Sequence, residues 1–512
     1  MVTAALTESL AELVSSAGRR WGDDVAIACG AQKLSYAQLD RAVARVAEDL
    51  TDRGLQAGDA VAVLAGTGLE FPVLAHGVMR AGGVLVPISP TSPPREIAAL
   101  LRAAQAELVL AEADLEPAAQ DAVTIYDAGC GVVSLDSEAG RSRGDMHALK
   151  KLVEGRDVPP PPPRVAAGTA AVILFTSGST AKAKGVVHSH EGLLNNARCV
   201  AYDMAGLTRK DVLLGALPLA HSFGISAVLN ASLLVGARLE LLSQFDAKEA
   251  WKLVLAREIT VLTGVPTMFR RIAELREASR NSDLRLAIVS GASCPRGVAR
   301  DVRLRLGIEM IERYGMTEAS PLTWRPVDEN TPAGDVGFPA WGVKLRVVDD
   351  HGRVLPDGRT GEVETQAPGM LLRYLAAADN RDGFHDGWLR TGDLGCIRPD
   401  GGLTIEARLK EVILRGGYTI SAREVEAAIE LHPAVAEAAV VGLPDEDMGE
   451  DIAAMVVLKP GKQAEPADLW RFVGERLAGW KRPRRWRVVD EIPRTSLGKI
   501  RRDEIVRSWS EA

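Results

Sequence analysis

Residues 172–190 read Val-Ile-Leu-Phe-Thr-Ser-Gly-Ser-Thr-Ala-Lys-Ala-Lys-Gly-Val-Val-His-Ser-His. An apolar run, Val172 to Phe175, stops abruptly at a loop of Thr, Ser and Gly that carries Lys182 and Lys184. Small residues at the end of a buried strand let backbone N–H groups close on oxygen atoms, and the lysines add positive charge. The stretch is therefore laid out as a phosphate site. It is not a Walker A loop, because the spacing from Gly178 to Gly185 is too long and no Ser or Thr follows a Gly-Lys pair. Taken alone, the same residues also describe a polar turn with solvated lysines. The choice depends on whether other segments need the same ligand.

Outward from this loop the chain alternates helix and strand signals. Tyr36 to Leu50 and Phe71 to Arg80 carry apolar residues at helical spacing, whereas Asp59 to Leu64 and Gly83 to Ile88 are short apolar strand runs. Val212 to Leu217, Thr260 to Val265 and Arg285 to Ser290 also read as strands, and Ala247 to Arg257 as a helix. Such alternation builds an α/β domain of parallel-rich sheets covered by helices. Past Gly334, shorter strands at Val343 to Val348, Gly361 to Gln366 and Leu403 to Glu406, separated by Asp/Gly turns, describe a smaller β-rich subdomain. A compact α+β piece follows: strands at Val412 to Leu414, Ala436 to Val441 and Ala453 to Leu458, with helices at Ala422 to Leu431 and Pro466 to Leu477. Pro159 to Pro163 reads as a stiff connector; Pro483 to Lys499 is polar, and within it Thr495-Ser496-Leu497-Gly498 reads as an exposed loop.

At 512 residues the chain exceeds one ordinary core, so two to four domains or subdomains are expected. A net charge of −7 and the lack of a basic stripe interleaved with aromatics argue against nucleic-acid binding. The five cysteines, Cys29, Cys130, Cys199, Cys294 and Cys396, are dispersed and odd in number, which fits a reducing compartment rather than a disulfide scaffold or zinc site. No basic segment precedes an apolar stretch at the N-terminus. The longest apolar stretch, Ile225 to Val235, contains Asn230 and Ser232 and is too short to span a bilayer. A cytoplasmic protein without a membrane span is expected.

Four further segments join the first loop: Tyr314-Gly315-Met316-Thr317-Glu318, Leu389-Arg390-Thr391-Gly392-Asp393-Leu394, Arg408-Leu409-Lys410-Glu411, and Pro493-Arg494-Thr495-Ser496-Leu497-Gly498-Lys499. Together, and in this order, they resemble the adenylate-forming (AMP-binding) superfamily, which includes acyl-CoA synthetases, peptide-synthetase adenylation domains and firefly-type luciferases. The resemblance spans nearly the whole chain and falls nearest the acid–CoA ligase branch. It implies a large N-terminal AMP-binding domain at 1–407 and a small, mobile C-terminal domain at 408–512, turning about Lys410.

The resemblance also implies roles. Thr176, Ser177, Gly178, Ser179, Thr180 and Lys184 would hold the β- and γ-phosphates of ATP. Tyr314 would stack on adenine, with Gly291 and Ala292 on its other face and Gly315 and Met316 beside it. Thr317 would bond the α-phosphate and Glu318 would hold Mg²⁺. Asp393 and Arg408 would bind the ribose. Lys499 would bridge the carboxylate and the α-phosphate. Arg415, Gly416, Gly417 and Tyr418 would line the tunnel for the CoA thiol, where glycines permit close backbone approach. His221, Phe223, Val265, Pro266, Ala292 and Met316 would wall the acyl pocket, with His221 also expected among the catalytic residues beside Thr317, Glu318 and Lys499.

Leu217 to Gly224 offers no acid to pair with a substrate ammonium, so a plain carboxylic acid is expected: aliphatic, alicyclic or aryl. Ala181 and Ala183 stand where the family's loop carries glycine and proline. If that glycine uses positive φ, alanine costs about 1 kcal/mol, and losing proline raises the cost of ordering the loop by a similar amount. Milder departures are Arg373 before Tyr374 and Ala407 before Arg408, both where glycine is usual. The leading expectation is an acid–CoA ligase using ATP, Mg²⁺ and CoA. The alternatives are an adenylation-impaired enzyme that mainly converts acyl-AMP to acyl-CoA, and a ligase that loads the pantetheine of a carrier protein. A homodimer is compatible with the sequence, whereas a non-enzymatic nucleotide-binding protein is disfavoured by Glu318 and Lys499.

Overall fold

The computed structural model describes residues 9–135, 149–154, 164–176, 184–280, 283–328, 330–332, 334–416, 418–495 and 500–510. The polyproline segment 159–163 lies outside the described residues. The chain forms two compact units. One comprises Met1–Asn330, Ala340–Val343 and Gln366–Gly383; the other comprises Thr331–Pro339, Lys344–Thr365 and Phe384–Ala512.

The first unit contains two sheets. In spatial order the first sheet runs Gln32–Ser35, Val25–Cys29, Arg238–Leu241, Val212–Gly215, Val261–Gly264, Leu286–Val289, Glu309–Met316, Ala319–Val327. The strands from Val25–Cys29 to Glu309–Met316 are parallel, and Gln32–Ser35 and Ala319–Val327 pair antiparallel with Val25–Cys29 and Glu309–Met316. The second sheet runs Arg373–Tyr374, Lys184–Ser189, Ala170–Thr176, Val84–Ile88, Ala60–Leu64, Leu108–Ala111, Gly131–Ser134. Ala60–Leu64 and Val84–Ile88 are buried at every position, as expected of parallel strands covered on both faces. A fully buried Val or Leu side chain contributes about 1.5–3 kcal/mol.

Helices Tyr36–Asp52 and Glu70–Arg80 close over this core. The first starts at a capping box formed by Ser35 and Gln38. The two cross closely because Gly77 has no side chain: a Cβ there would stand 2.2 Å from Val46 Cγ1. The apolar stretch 225–235 is a π-helical segment, Phe223–Asn230, followed by the helix Ala231–Val235.

The second unit pairs an antiparallel sheet (Lys344–Val348, Gly361–Gln366, Trp388–Ile397, Leu403–Arg408, Asp335–Pro339) with the C-terminal α+β piece. In that piece the long hairpin Val435–Asp445/Gly449–Leu458 carries Val412–Arg415 and Tyr418–Ser421 along one side. Helices Ala422–Glu430 and Pro466–Gly474 pack on it through Val425, Ile429, Leu469 and Val473. Arg485–Val488, within the polar 483–499 stretch, is a strand parallel to Gly449–Leu458. Its alternation of Arg with Trp and Val hides a half-buried edge strand under a basic run.

Candidate active site

In the first sheet, Val212–Gly215, Val261–Gly264, Leu286–Val289 and Glu309–Met316 are parallel neighbours. The segments that follow them therefore leave from one sheet edge. They carry His221 and Phe223, Val265 and Pro266, Gly291 and Ala292, and Thr317 and Glu318. The crevice outside the carboxyl ends of parallel strands is the usual ligand position in such sheets. Gly291 has φ +87°, and a Cβ there would stand 3.3 Å from Val265 Cγ1, so these two pocket candidates adjoin and the position favours glycine.

Tyr314 to Glu318 close a hairpin rather than starting a helix: Tyr314 faces Thr323 and Met316 faces Ala319 in register. Gly315 fits tightly in it, with Ser320 Oγ 2.7 Å from where a Cβ would be. The turn is locked to the second sheet by His188, whose Nε2 lies 2.7 Å from the carbonyl oxygen of Thr317. A carbonyl only accepts, so Nε2 must carry the proton. Burial lowers the His188 pKa to about 4, which keeps the ring neutral.

The first loop is a hairpin connection. Ala170–Thr176 runs antiparallel to Lys184–Ser189, and Thr176 faces Lys184 at its mouth. Ser177, Gly178, Ser179 and Thr180, with Ala181, Lys182 and Ala183, lie outside the described residues. Lys184 forms an ion pair with Asp379 at 2.8 Å and stands 5.3 Å from the centre of the Tyr374 ring. The Tyr374 hydroxyl in turn donates to Glu318 Oε1 at 3.1 Å. Burial, with Glu318 beside it, holds the phenol pKa above its ordinary value, so the group remains a donor.

Residues 368–375 strap this assembly together. Leu371 N–H donates to the Glu318 carbonyl, Leu372 N–H to Val187 and Leu375 N–H to Gly185. Asn196 donates to the Gly369 carbonyl. At Gly185 a Cβ would stand 2.3 Å from Leu375 Cδ1, which explains the glycine.

In the second unit, Asp393 and Arg408 face each other across two strands. The Arg408 Nε lies 2.8 Å from Asp393 Oδ1, and Asp393 is 2% exposed. Arg415 is also 2% exposed and pairs with Asp451 at 2.9 Å, so its guanidinium braces the turn from inside. Gly416 has φ +57° with Met448 against it, and Tyr418 stacks on Trp480 at 4.5 Å. Gly417 and Lys499 lie outside the described residues. The loop bearing Lys499 is bounded by an antiparallel bridge between Arg494 and Ile500. Lys410 sits in a single turn, Leu409–Glu411.

Tyr374, Asp379, His188 and Arg313 are absent from the site expected from sequence. The only hint was the position of Tyr374 after an arginine that stands where glycine is usual.

Comparisons with known proteins identify the family. The AMP-binding enzyme family matches residues 14–375, and the AMP-binding enzyme C-terminal domain matches residues 424–499. A sulfoacetate–CoA ligase of Cupriavidus necator is 31% identical over 97% of this chain and 97% of its own. A fatty acid–[acyl-carrier-protein] ligase, ScoC of Streptomyces coeruleorubidus, is 31% identical over 95% and 94%. The solved structure of ATP-bound MatB from Rhodopseudomonas palustris superposes with a TM-score of 0.89 at 30% identity, covering 98% of this chain and 99% of that one. The chain belongs to the AMP-binding enzyme family and is an acyl-CoA synthetase within it. Among the described residues, no helix is long and apolar enough to cross a membrane.

Proposed function

We infer that the expected site residues act in the two-step ligation of a carboxylic acid to a thiol. In the first step an oxygen of the acid attacks the α-phosphorus of ATP, the bond to the bridging oxygen breaks, and pyrophosphate leaves. In the second step the thiol sulfur attacks the acyl carbonyl, the bond to AMP breaks, and the thiol proton passes to solvent. The supporting observation is the His188 to Thr317 bond. It fixes the Tyr314–Glu318 turn against the hairpin whose mouth carries Thr176 and Lys184.

Charge on the phosphates develops where fixed donors and cations stabilise it without reorganisation. Lys184, positioned by Asp379, serves the outer phosphates, and Thr317 serves the α-phosphate. Glu318 fits a Mg²⁺ site: it is a buried carboxylate with one oxygen already bonded to Tyr374. No cluster of three ligating side chains occurs among the described residues. A hard cation with one protein carboxylate, completed by phosphate oxygens and water, matches Mg²⁺ chemistry. That ion would neutralise phosphate charge.

Asp393 and Arg408 hold the ribose. Gly416, Gly417 and Tyr418, with Arg415 as their internal brace, form the approach for the pantetheine thiol. The 408–512 segment moves about Lys410 between the two steps.

The acceptor is CoA; a carrier-protein pantetheine is the competing acceptor. A second reading, weak adenylation with intact thioesterification, is favoured by Ala181 and Ala183. Pyrophosphate exchange over a panel of acids, run beside thioester formation from synthetic acyl-AMP, tests all three. Exchange together with CoA thioester formation is expected. Thioester formation without exchange would select the second reading, and failure of CoA with success of a carrier protein would select the third.

A further inference from the structure

The preference for a plain acid rested on the lack of a carboxylate for an ammonium. The structure contains the opposite charge. Arg313, directly before Tyr314, is 4% exposed. Its guanidinium lies 4.6 Å from the centre of the Phe223 ring, against a proposed wall of the acyl pocket. One terminal nitrogen donates to Ser320 Oγ, two residues past Glu318. Nε and the other terminal nitrogen have no hydrogen-bond partner among the described residues. Among the described residues no carboxylate forms an ion pair with Arg313, and Asp203, beside Cys199, accepts from the Trp324 indole and the Trp341 backbone.

A buried guanidinium with two open donor directions is costly unless an anion completes it. The pressure is visible in the group itself, since burial lowers the Arg313 pKa to about 10. Three groups that face it are apolar or neutral: Phe223, Cys199 and Ser320. A protein that left such a group in place for packing alone would do better with Met or Leu of similar volume.

We propose that Arg313 binds a second anionic group on the acid substrate, so that the enzyme activates one carboxylate of a dicarboxylic or sulfonated acid. The inference rests on the assignment of Phe223 to the acyl pocket. The two open donors suit a fork-like contact with a carboxylate or sulfonate. The Phe223 ring beneath the guanidinium keeps water from screening that contact. A long alkyl chain passing the same point would leave the guanidinium without a counter-ion, so long-chain monocarboxylic acids are excluded.

The test compares length-matched acids with the full-length enzyme: acetate, butanoate, hexanoate and benzoate against malonate, succinate, adipate and 3-sulfopropanoate, all by pyrophosphate exchange. Dianionic acids are expected to exceed monoanionic ones by about 100-fold in kcat/KM. The carboxylate and sulfonate arms distinguish the two anion types. Arg313→Met should lower kcat/KM for dianions by a similar factor and raise or preserve it for monoanions, with KM for ATP and the melting temperature little changed. Arg313→Lys should recover part of the preference.

A parallel arm measures thioester formation from synthetic acyl-AMP, with and without a terminal carboxylate, so selectivity is readable even if adenylation is weak. Exchange with monoanions as good as with dianions would overturn the anion site while leaving the ligase intact. Equal loss of both classes in Arg313→Met would assign Arg313 a structural role. Failure of both assays with every acid would overturn the ligase assignment and the anion site together.

Discussion

Two positions illustrate how single residues set this site. Gly185 permits the strap to lie on the phosphate hairpin. Adding one methyl group, as in Gly185→Ala, would drive it into Leu375. Overpacking of this kind costs about 1–3 kcal/mol, and because the two residues touch, the losses should not add. Gly185→Ala should lower the denaturation midpoint, and Gly185→Ala/Leu375→Ala should recover more than half of that loss; additive losses would mean the clash is relieved elsewhere. Lys499 is proposed to act in the first chemical step. Lys499→Ala should reduce pyrophosphate exchange by about 100-fold or more, the range for losing one aligned charge stabiliser. It should leave thioester formation from synthetic acyl-AMP within about tenfold, and equal loss in both assays would contradict its assignment to the first step. Arg313 shows a limit of residue-level reading. Its type and position are plain in the sequence, but its lack of a counter-ion is visible only when everything around it is in place.

At the scale of elements, the strand Leu108–Ala111 ends at Glu112, whose carboxylate accepts the Gly66 N–H at 3.0 Å and so ties down the loop after Ala60–Leu64. Burial, then Glu70, pushes its pKa up to about 7. The sign follows from proton binding. Between the unfolded value near 4.5 and about 7 the folded state holds the extra proton, so stability falls as pH rises through that window. Glu112→Gln keeps an acceptor for Gly66 and removes the ionisation. At pH 8 it should be more stable than the parent by roughly 1–2 kcal/mol, with no difference at pH 4.5. Chemical denaturation at the two pH values checks this, and an equal difference at both would rule out ionisation as the cause. Elements of uniform chemistry were legible beforehand: Ala60–Leu64 and Val84–Ile88 are apolar throughout, and Tyr36–Asp52 has an unbroken helical period. Others were not. Ala319–Val327 contains Pro321, Thr323 and Pro326 and becomes a strand through its pairing with Glu309–Met316. Arg373–Tyr374 is too short to carry any period, and Tyr374 reaches Glu318 across 56 residues of chain. The segments proposed for phosphate, adenine and ribose stand out in the sequence because their residue types suggest that chemistry. Their partners His188, Tyr374 and Asp379 do not, because tertiary contact alone assigns them.

For the whole molecule, the proposed half-reactions would call on two places in the 408–512 segment. Arg415, at the thiol turn, pairs with Gly449 at the closed end of the long hairpin, where Asp445 faces Gly449. The loop bearing Lys499 starts at Arg494, which forms an ion pair with Glu437 near the other end. Glu437 and Asp445 are eight residues apart on one strand, which corresponds to about 26 Å at the usual rise. An acyl-adenylate is smaller than that, so a fixed domain could not bring both places to one reacting carbon. On the proposed two-step reading the segment turns between steps, and the single turn Leu409–Glu411, between strands Leu403–Arg408 and Val412–Arg415, is the short connection proposed to absorb the change. Proline at 410 fixes φ near −65° and restricts Leu409 before it. Lys410→Pro should therefore fold, hold one orientation and separate the half-reactions. One of them, pyrophosphate exchange or thioester formation from acyl-AMP, should stay within about tenfold of the parent while the other falls by about 100-fold or more. Equal retention of both in Lys410→Pro would show that residue 410 is not the pivot, and equal loss of both would show that the substitution damaged the site rather than the motion.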